Sequence, residues 1–500
     1  MLIYSDTDAH WSQKDQILIL LASDDNGRTW FKHREVARHD FSKGEERLVT
    51  PRLSRLSDGR LVALIDQDDR GHFHEDQPSG ILALWSEDEG DTWSEERNTG
   101  IKGIEPDRVV ELPDGRLAIA SHVMRGESQE FANILSCSDD GGRTWHEYAT
   151  IAHNGYHRFC EGAIVILDDG KELACVMREN HSAGIPSFVS FSQDIGKTWS
   201  RPQMLPFAIH RPYAKQLPDG RVLVTGRHVN GGLGTYAWCG DLKAEAGQWQ
   251  IGGPRTDFAA ELTPEALVIE NRPEHKCTYT LLPPESSRSE ALLEAKIRVE
   301  GQENKAVAFL SIAGLLSQGV VVSISPDQIM LNRPAREYRK AADMTRERTV
   351  TIHHRRGLLQ VQLDGETVIS ECVWRESPHL GDFHGGNPTK RTQFGQAGET
   401  GRSFWKSISY SVKNPTLDDV EWSWDASQGL CPDDYQRRRL IQIHANPPGQ
   451  KASPDHGYSS WLMLADDRII LVDYTNFGDK PGRSHLVGVY LELEDLQLAL

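Results

Sequence analysis

The chain has 500 residues, of which 38% are hydrophobic and 26% are charged, as is usual for a soluble globular protein. Its formal net charge of −18 argues against nucleic acid as a partner, because a polyanion would be repelled. No apolar run is long enough to cross a bilayer, so we expect no membrane partner. The N-terminus lacks the pattern of a signal peptide, and the 7 cysteines form neither a disulfide nor a zinc pattern. These features predict a reduced, cytoplasmic protein.

The first predicted element is a buried strand at 17–21, which leads into a short motif that occurs four times. The spacing is Ser-x-Asp-x-Gly-x-Thr-Trp, the pattern called the Asp-box. Its copies begin at Ser23, Ser86, Ser138 and Ser192. We expect each copy to form a hairpin turn in which the Asp caps backbone amides, the Gly adopts a conformation that other residues resist, and the Trp packs beneath. None of these roles is catalytic, so the boxes identify a scaffold.

A second pattern lies between the boxes: an apolar strand, a tight turn with Asp and usually Gly, and another strand. The central aspartates of these turns are Asp58, Asp114, Asp169, Asp219 and Asp466. Asp-Gly between alternating apolar residues is a strong hairpin pattern. One such hairpin and one box give four strands in about fifty residues, which is typical of a propeller blade.

The ends of the chain fit a ring of such blades. No Asp-Gly hairpin precedes the first box, and no box follows the last hairpin. We therefore expect the two halves to complete one blade, with the N-terminal strand closing the ring and removing exposed sheet edges. Five hairpins directly support five blades, built from residues 1–250 and 413–500.

The repeat is lost at 255–412, although strand patterns continue at 291–299, 320–324 and 361–369. This predicts an all-β sandwich inserted between blades. The insert looks like the jelly-roll, concanavalin-type lectin modules that accompany many carbohydrate enzymes. It has no aromatic row that would indicate sugar binding, so we favour a structural spacer over a working lectin.

Polar residues recur at fixed positions relative to the hairpin aspartates. Eight residues before the aspartate stand Thr50, Pro106, Glu161, Arg211 and Tyr458, and six before it stand Arg52, Arg108, Ala163, Tyr213 and Ser460. Eight residues after it stand Asp66, His122, Arg227 and Tyr474, with Arg178 if one insertion is allowed. The first two columns share parity, so they face the same side of their strands. Burying so many charges is costly unless they bind a ligand or pair with one another to fill a channel, and both readings stay open.

The boxes, the period and these columns together resemble the sialidase superfamily over about 1–245 and 415–500. Glu161 and the strand that follows resemble the segment with the glutamate of the Tyr/Glu nucleophile pair. Tyr458 in Gly-Tyr-Ser-Ser-Trp is similar to the nucleophilic tyrosine, and Arg178 and Arg227 resemble two arginines of the carboxylate-binding triad. The resemblance implies a sixth blade, and hence a six-bladed β-propeller with an inserted β-sandwich.

The sequence departs from the sialidase pattern at two places. Val49 stands where sialidases carry the first triad arginine, which removes a principal hold on sialic acid. The general acid has no residue in the expected register, and its candidates are Asp76 and His74. Further residues expected to bind substrate are Arg211, Arg52, Arg108, Tyr213 and His228.

The leading hypothesis is a sialidase-like exo-glycoside hydrolase acting on a small anionic or deoxy-sugar glycoside, without metal or cofactor. A polysaccharide lyase or a histidine-dependent rhamnosidase on the same fold is an alternative. Its motivation is a set of histidines near the expected mouth, namely His74, His122, His157, His210 and His228. A second alternative is a non-catalytic propeller that binds glycans. The partner is expected to be a small carbohydrate, and the sequence leaves a homo-oligomer open.

Overall fold

The protein folds almost entirely into antiparallel β-strands. The structure is a computed structural model that describes residues 1–6, 16–40, 43–67, 74–126, 130–181, 184–230, 234–254, 260–271, 277–314, 320–333, 336–372, 391–445, 455–476 and 484–496. Within this part of the chain, no helix is long and apolar enough to span a membrane.

Six of the sheets formed by the described residues have only three or four strands. The first contains Leu2–Asp6 (β1), Gln16–Ala22 (β2) and Phe31–His39 (β3). The second contains Leu48–Arg55 (β4), Leu61–Gln67 (β5), Ile81–Ser86 (β6) and Arg97–Asn98 (β7). The third contains Val110–Glu111 (β8), Leu117–Arg125 (β9), Glu130–Ser138 (β10) and His146–Ala152 (β11). The fourth contains Phe159–Leu167 (β12), Glu172–Glu179 (β13), Phe188–Ser192 (β14) and Gln203–Met204 (β15).

The fifth small sheet begins with Ile209–Gln216 (β16), Val222–His228 (β17) and Gly234–Gly240 (β18). A short helix, Leu242–Glu245 (α1), then leads out of the repeat. Asp241 caps this helix, because its side chain accepts from the backbone amides of Lys243 and Ala244.

Two larger sheets follow and share one hydrophobic core, as expected for a sandwich. One sheet contains Ala260–Leu262 (β19), Leu267–Asn271 (β20), Glu290–Gly301 (β22), Arg348–Arg355 (β27), Leu358–Leu363 (β28), Glu366–Cys372 (β29), Gly401–Lys413 (β31) and Val420–Asp425 (β32). The other contains Thr278–Leu281 (β21), Ala308–Ile312 (β23), Val320–Ser325 (β24), Gln328–Arg333 (β25), Arg336–Ala341 (β26) and Thr392–Gln396 (β30). Because β32 pairs with β31, this sheet runs past residue 412, where we expected the insert to end.

The chain returns to the small sheets through a second short helix, Asp434–Arg439 (α2). The strand Leu440–Ala445 (β33) pairs with β18 and completes the fifth small sheet. The sixth contains Ser460–Met463 (β34), Ile469–Thr475 (β35) and His485–Leu491 (β36). Two 3-10 turns lie at Asp168–Gly170 and Ala426–Gln428.

The four Asp-boxes form the hairpin turns that the motif predicts, joining β2 to β3, β6 to β7, β10 to β11 and β14 to β15. In the second box, Asp88 accepts from the amide of Thr92 at 2.8 Å and from its hydroxyl at 2.5 Å. The Trp93 indole donates to the Gly90 carbonyl at 3.1 Å. The interpretation of the boxes as structural turns is confirmed.

The two ends of the chain form separate sheets rather than one shared blade. The N-terminal strand β1 pairs with β2, so the strand before the first box already has a partner. The last hairpin lies in the sixth sheet with β36. The first and sixth sheets nevertheless meet, because the Tyr490 hydroxyl donates to the Asn26 carbonyl at 2.6 Å.

Candidate active site

Side chains from all six small sheets line one cavity of about 1970 Å³. Its wall includes Ile3 and Gln16 of the first sheet, Arg52 and Asp66 of the second, His122 and Met124 of the third, Glu161 and Arg178 of the fourth, Arg211 and Tyr213 of the fifth, and Val472 and Tyr474 of the sixth. A concave site shared by neighbouring sheets is where ligands usually bind, and its size exceeds that needed for a single sugar ring.

Five equivalent positions near the starts of the hairpin strands converge on this cavity, and they are Thr50, Glu105, Glu161, Arg211 and Tyr458. Strand pairing is interrupted at three of them, next to Val49, Cys160 and His210. Thr50, Glu105 and Arg211 each precede a proline and have φ values of 48°, 51° and 51°. Irregular, strained positions of this kind re-aim side chains and cluster at functional sites.

Glu161 is held by an arginine and is almost fully buried. Arg178 Nη1 donates to Glu161 Oε1 at 2.6 Å, and Arg178 Nη2 donates to Asn180 Oδ1. Glu161 is 3% exposed, and its Oε2 has no hydrogen-bond donor among the described residues. Burial, opposed by Arg178 and helped by Glu105, raises the pKa of Glu161 to about 7.

Glu105 lies beside Glu161 and is bound to Arg211. Arg211 Nη1 donates to the Glu105 carbonyl at 3.0 Å and lies 3.6 Å from Glu105 Oε2. The Glu105 amide donates to Asp66 Oδ2 at 2.9 Å. Burial acts to raise the pKa of Glu105, but Arg211, a hydrogen bond with Glu161 and further arginines outweigh it, so that this pKa is lowered.

Tyr458 lies against two guanidinium groups. The guanidinium carbons of Arg211 and Arg227 are 5.4 and 5.7 Å from the centre of its ring. Burial and the carboxyl groups of Glu105 and Glu161 raise the pKa of Tyr458 to about 12, against the opposing effect of the two arginines. A neighbouring base is therefore needed to make this hydroxyl a nucleophile.

Arg227 is fixed by the segment that precedes Tyr458. Its Nε donates to the His456 carbonyl at 2.7 Å, and its Nη2 lies 3.8 Å from Asp455 Oδ1. The Tyr474 hydroxyl donates to the same Asp455 oxygen at 2.5 Å. These contacts leave the arginine facing the ring of Tyr458.

Arg52, Arg108 and Tyr213 also line the cavity, stacked on one another. The guanidinium carbons of Arg108 and Arg52 lie 5.0 and 5.9 Å from the centre of the Tyr213 ring. Arg108 Nη2 donates to the carbonyls of Ile164 and Ala214, both at 3.0 Å. Through these bonds Arg108 joins three sheets, so its Nη2 nitrogen has a structural role. Burial and the nearby Arg211 lower the pKa of Arg52 to about 10.

Four predicted site residues, namely Arg227, Asp76, His74 and His228, are not part of the cavity wall as far as the described residues define it. Arg227 nevertheless lies against the ring of the wall residue Tyr458. Asp76 is exposed, and His74 forms a β-bridge with Met124, which does line the wall. His228 is 2% exposed and packs against the ring of Tyr236 at 4.9 Å. Its interior position on β17 follows from strand alternation, because its neighbour Arg227 points the other way.

Val49 lies in the cavity wall and pairs with Asp66 across β4 and β5. An aliphatic side chain therefore occupies the place at which the resemblance implies an arginine.

The residue that sequence reasoning missed is Glu105. In the third sheet the irregular position lies nine residues before the hairpin Asp114 rather than eight, so a fixed count selects Pro106. The recurring residue-proline pair at Thr50, Glu105 and Arg211 would have found it.

No cluster of three or more His, Cys, Asp or Glu side chains suited to a metal ion occurs among the described residues. The titratable groups in the cavity are instead carboxylates and guanidinium groups that lie next to one another. Such a set can bind an anionic or hydroxyl-rich ligand and can transfer protons.

Part of the chain matches a known protein family. Residues 8–231 match the family model of the BNR repeat-like domain. Among solved structures, a protein of unknown function from Dyadobacter fermentans is 19% identical with a TM-score of 0.40, covering 55% of this chain and 82% of that chain. The Hadza microbial sialidase Hz136 is 17% identical with a TM-score of 0.35, covering 45% and 50%. The sialidase of Trypanosoma rangeli is 12% identical with a TM-score of 0.32, covering 80% and 87%.

The search of curated proteins found no match. The four Asp-boxes, their hairpin geometry and the matched family model nevertheless agree on one scaffold. Residues 8–231 are therefore similar to the BNR repeat-like domain.

Proposed function

We propose that this protein is a sialidase-like exo-glycoside hydrolase that acts on a small anionic or deoxy-sugar glycoside. The observation that carries the proposal is the setting of Tyr458, whose ring lies against Arg211 and Arg227 and whose pKa is raised by the carboxyl groups of Glu105 and Glu161. A tyrosine hydroxyl becomes a nucleophile when an adjacent carboxylate takes its proton. Glu161 is the carboxylate that the family resemblance implies for this step.

In the proposed reaction, the Tyr458 hydroxyl proton moves to Glu161 as the tyrosine oxygen bonds to the anomeric carbon. The bond from that carbon to the leaving oxygen breaks, and an acid at the cavity rim protonates the leaving oxygen. His74 and Asp76 stay the candidates for this acid, and the bridge from His74 to the wall residue Met124 supports that location. Water then cleaves the sugar–tyrosine bond. Two displacements at one carbon predict retention of configuration.

The arginines support a substrate with an acidic or strongly polar group, because planar guanidinium groups bind a carboxylate in a way that lysine does not reproduce. Arg178 bonds to Glu161, and Arg211 and Arg227 lie against the ring of Tyr458. Val49 favours a sugar other than sialic acid, because the first arginine of the sialidase triad is replaced here by an aliphatic group.

We also propose that the six small sheets are the blades of one propeller ring. Two observations support this arrangement: residues of every small sheet line the same cavity, and Tyr490 of the sixth sheet bonds to Asn26 of the first. A ring would protect the sheet edges that three- and four-stranded sheets otherwise expose. Small-angle scattering of the whole chain would test it through the dimensions of the particle.

The deciding experiment is incubation of the protein with a mixed panel of sialosides, uronides and rhamnosides, followed by mass spectrometry. Release of a sugar that carries the mass of one added water supports the hydrolase and names its substrate class. Glu161→Gln and Tyr458→Phe should then each lower kcat by about a thousandfold or more, whereas the variant Tyr148→Phe, at a half-buried tyrosine outside the cavity wall, should not. Full activity in both site variants would overturn the assignment of the pair.

A lyase or a histidine-dependent rhamnosidase stays a second candidate because of His122. This histidine lies in the cavity wall, is 3% exposed, and its Nδ1 has no hydrogen-bond partner among the described residues. Burial, together with Arg211 and Arg178, lowers the pKa of His122 to about 4, so the imidazole is neutral and able to accept a proton. Cleavage of a uronide without added water, with a new ultraviolet band from the unsaturated product, would favour elimination.

A further inference from the structure

The two oxygens of Glu161 have unequal surroundings. Oε1 accepts from Arg178 at 2.6 Å, whereas Oε2 is buried without a hydrogen-bond donor among the described residues. A buried carboxylate oxygen without a donor is costly. The neighbouring side chain is another carboxyl group, that of Glu105, which is within hydrogen-bonding reach of Glu161. Two carboxyl groups can satisfy each other only when one of them carries a proton.

The local backbone brings Glu105 to this position. Its φ of 51° places it at the irregular turn ahead of β8, where its amide is held by Asp66. Arg211 reaches across from β16 and bonds to the Glu105 carbonyl. The Glu105 backbone is therefore held by two other sheets, and Arg211 Nη1 also lies 3.6 Å from the Glu105 carboxyl oxygen Oε2.

We propose that Glu105 shares one proton with Glu161, and that Glu161 becomes the base for Tyr458 only after this pair has lost that proton. The catalytic part of this inference rests on the proposed function, whereas the sharing of a proton does not. Glu105 is in this view a positioning residue that sets the pH at which the base becomes available.

Charged and titratable side chains from the neighbouring strands face the carboxyl groups of Glu105 and Glu161. They are Arg52, Asp66, His122, Cys160, Arg178, Arg211 and Tyr458. His122 is neutral and Tyr458 and Cys160 are protonated near neutral pH, so the arginines are the counter-charges. Glu105 raises the pKa of Glu161 both by its charge and by the shared hydrogen bond, and Arg178 does not fully offset this effect.

The proton balance of the proposed cycle is simple. Above the transition of the pair, its proton has passed to solvent and both carboxyl groups are ionised. The Tyr458 hydroxyl proton then moves to Glu161 while the tyrosine oxygen attacks the anomeric carbon. Below the transition, the proton between Glu105 and Glu161 occupies the site that the tyrosine proton would need.

The proton itself can be measured without a substrate. Infrared difference spectra of the whole protein, with glutamate carrying a ¹³C-labelled side-chain carboxyl, should show one protonated carboxyl that disappears near pH 7. In Glu161→Gln this band should be absent. In Glu105→Gln the repulsion is removed, so Glu161 should ionise about one pH unit lower or more. Glu105→Asp, which withdraws the carboxyl by one methylene, should give an intermediate shift, and the surface variant Glu303→Gln should give none.

The same variants separate this inference from the proposed function. On a confirmed substrate, the acid limb of kcat/KM should move to lower pH in Glu105→Gln by the shift seen in the infrared titration. If the band of the protonated carboxyl disappears at the same pH in the wild type and in both Glu105 variants, proton sharing is overturned. If the infrared band shifts but the acid limb of kcat/KM does not, the two glutamates share a proton, and that proton does not control whether Glu161 can act as the base. Loss of the whole proposed function would appear instead as full activity of Glu161→Gln and Tyr458→Phe.

Discussion

The carboxylate of Asp473 holds the backbone of Gly457, the residue immediately before Tyr458. Asp473 Oδ1 accepts from the Gly457 amide at 3.1 Å and from the Tyr474 amide at 2.8 Å. Its Oδ2 accepts from the Thr235 hydroxyl and lies 2.8 Å from His444 Nε2. Asp473 is 2% exposed, so these contacts are shielded from water. The position of the proposed nucleophile therefore depends on a carboxylate behind it.

Replacing Asp473 should impair catalysis through geometry rather than through substrate binding. Asp473→Ala leaves several buried donors unpaired, and we expect a loss of about 2–4 kcal/mol in the free energy of unfolding. We also expect kcat to fall by about 100-fold with little change in KM, because a small displacement of a reacting group is costly. Asp473→Asn keeps an oxygen for Gly457 and should retain most of kcat. Equal losses in the two variants, measured by steady-state kinetics, would contradict this role.

The raised pKa of Glu161 predicts how stability depends on pH. The folded state holds the Glu161 proton up to about pH 7, whereas the ordinary pKa of a glutamate is about 4.5. The stabilising contribution is thus complete below about pH 4.5 and is lost as the pH rises through about 7. Between these limits, the unfolding free energy of the wild type should fall relative to Glu161→Gln by up to about 3 kcal/mol. Urea unfolding at several pH values measures this free energy for both proteins. If the two free energies depend on pH in the same way, the pKa of Glu161 is not raised.

Arg108 should matter for stability more than for substrate binding. Its Nη2 donates to the carbonyls of Ile164 and Ala214, which lie on two other sheets. A lysine cannot reproduce both bonds, so Arg108→Lys should lower the free energy of unfolding by about 1–3 kcal/mol and leave KM within about twofold. Arg178→Lys should instead raise KM by about tenfold or more. A KM effect of Arg108→Lys as large as that of Arg178→Lys would place Arg108 on the substrate.

The glycines of the repeats offer a matched pair for testing the packing between sheets. Gly142 in the third box and Gly59 in a hairpin turn both have φ of 92°. A Cβ at Gly142 would lie 2.4 Å from the Trp85 ring, whereas one at Gly59 would meet nothing within 4 Å. Gly59→Ala should cost about 1–2 kcal/mol from backbone strain alone. Gly142→Ala should cost about 1–3 kcal/mol more because of the clash. Thermal unfolding measures both, and equal losses would show that the box and Trp85 are not packed as described.

Much of the scaffold was predictable because its determinants are local in sequence. In each Asp-box, the Ser, Asp, Gly and Thr that bond to one another lie within eight residues, as in the bonds of Asp88 to Thr92. The hairpin turns are equally local, and their alternating apolar strands predict which face is buried. Counting from these turns also identified Glu161, Arg211 and Tyr458, because equivalent positions in a repeat occupy equivalent places in the fold.

The failures occurred where a position depends on other sheets. Counting eight residues back from Asp114 selected Pro106, because the third sheet accommodates one additional residue before its turn. The general-acid candidates His74 and Asp76 lie outside the expected register, and only the β-bridge from His74 to Met124 relates this turn to the cavity. The N-terminal strand was expected to complete the last blade, yet it pairs with β2, since an adjacent strand is the easier partner to reach.

The sequence by itself therefore determined the all-β class, the repeated sheets and most of the candidate residues, because hydrogen-bonded turns and strand alternation are encoded over short stretches. Only the tertiary structure decided which charges meet. Arg211 and Glu105 are 106 residues apart, and Arg227 lies 229 residues from His456, whose carbonyl it binds. The distance between two charges fixes their interaction and hence their pKa values, and no local pattern in the chain contains that distance.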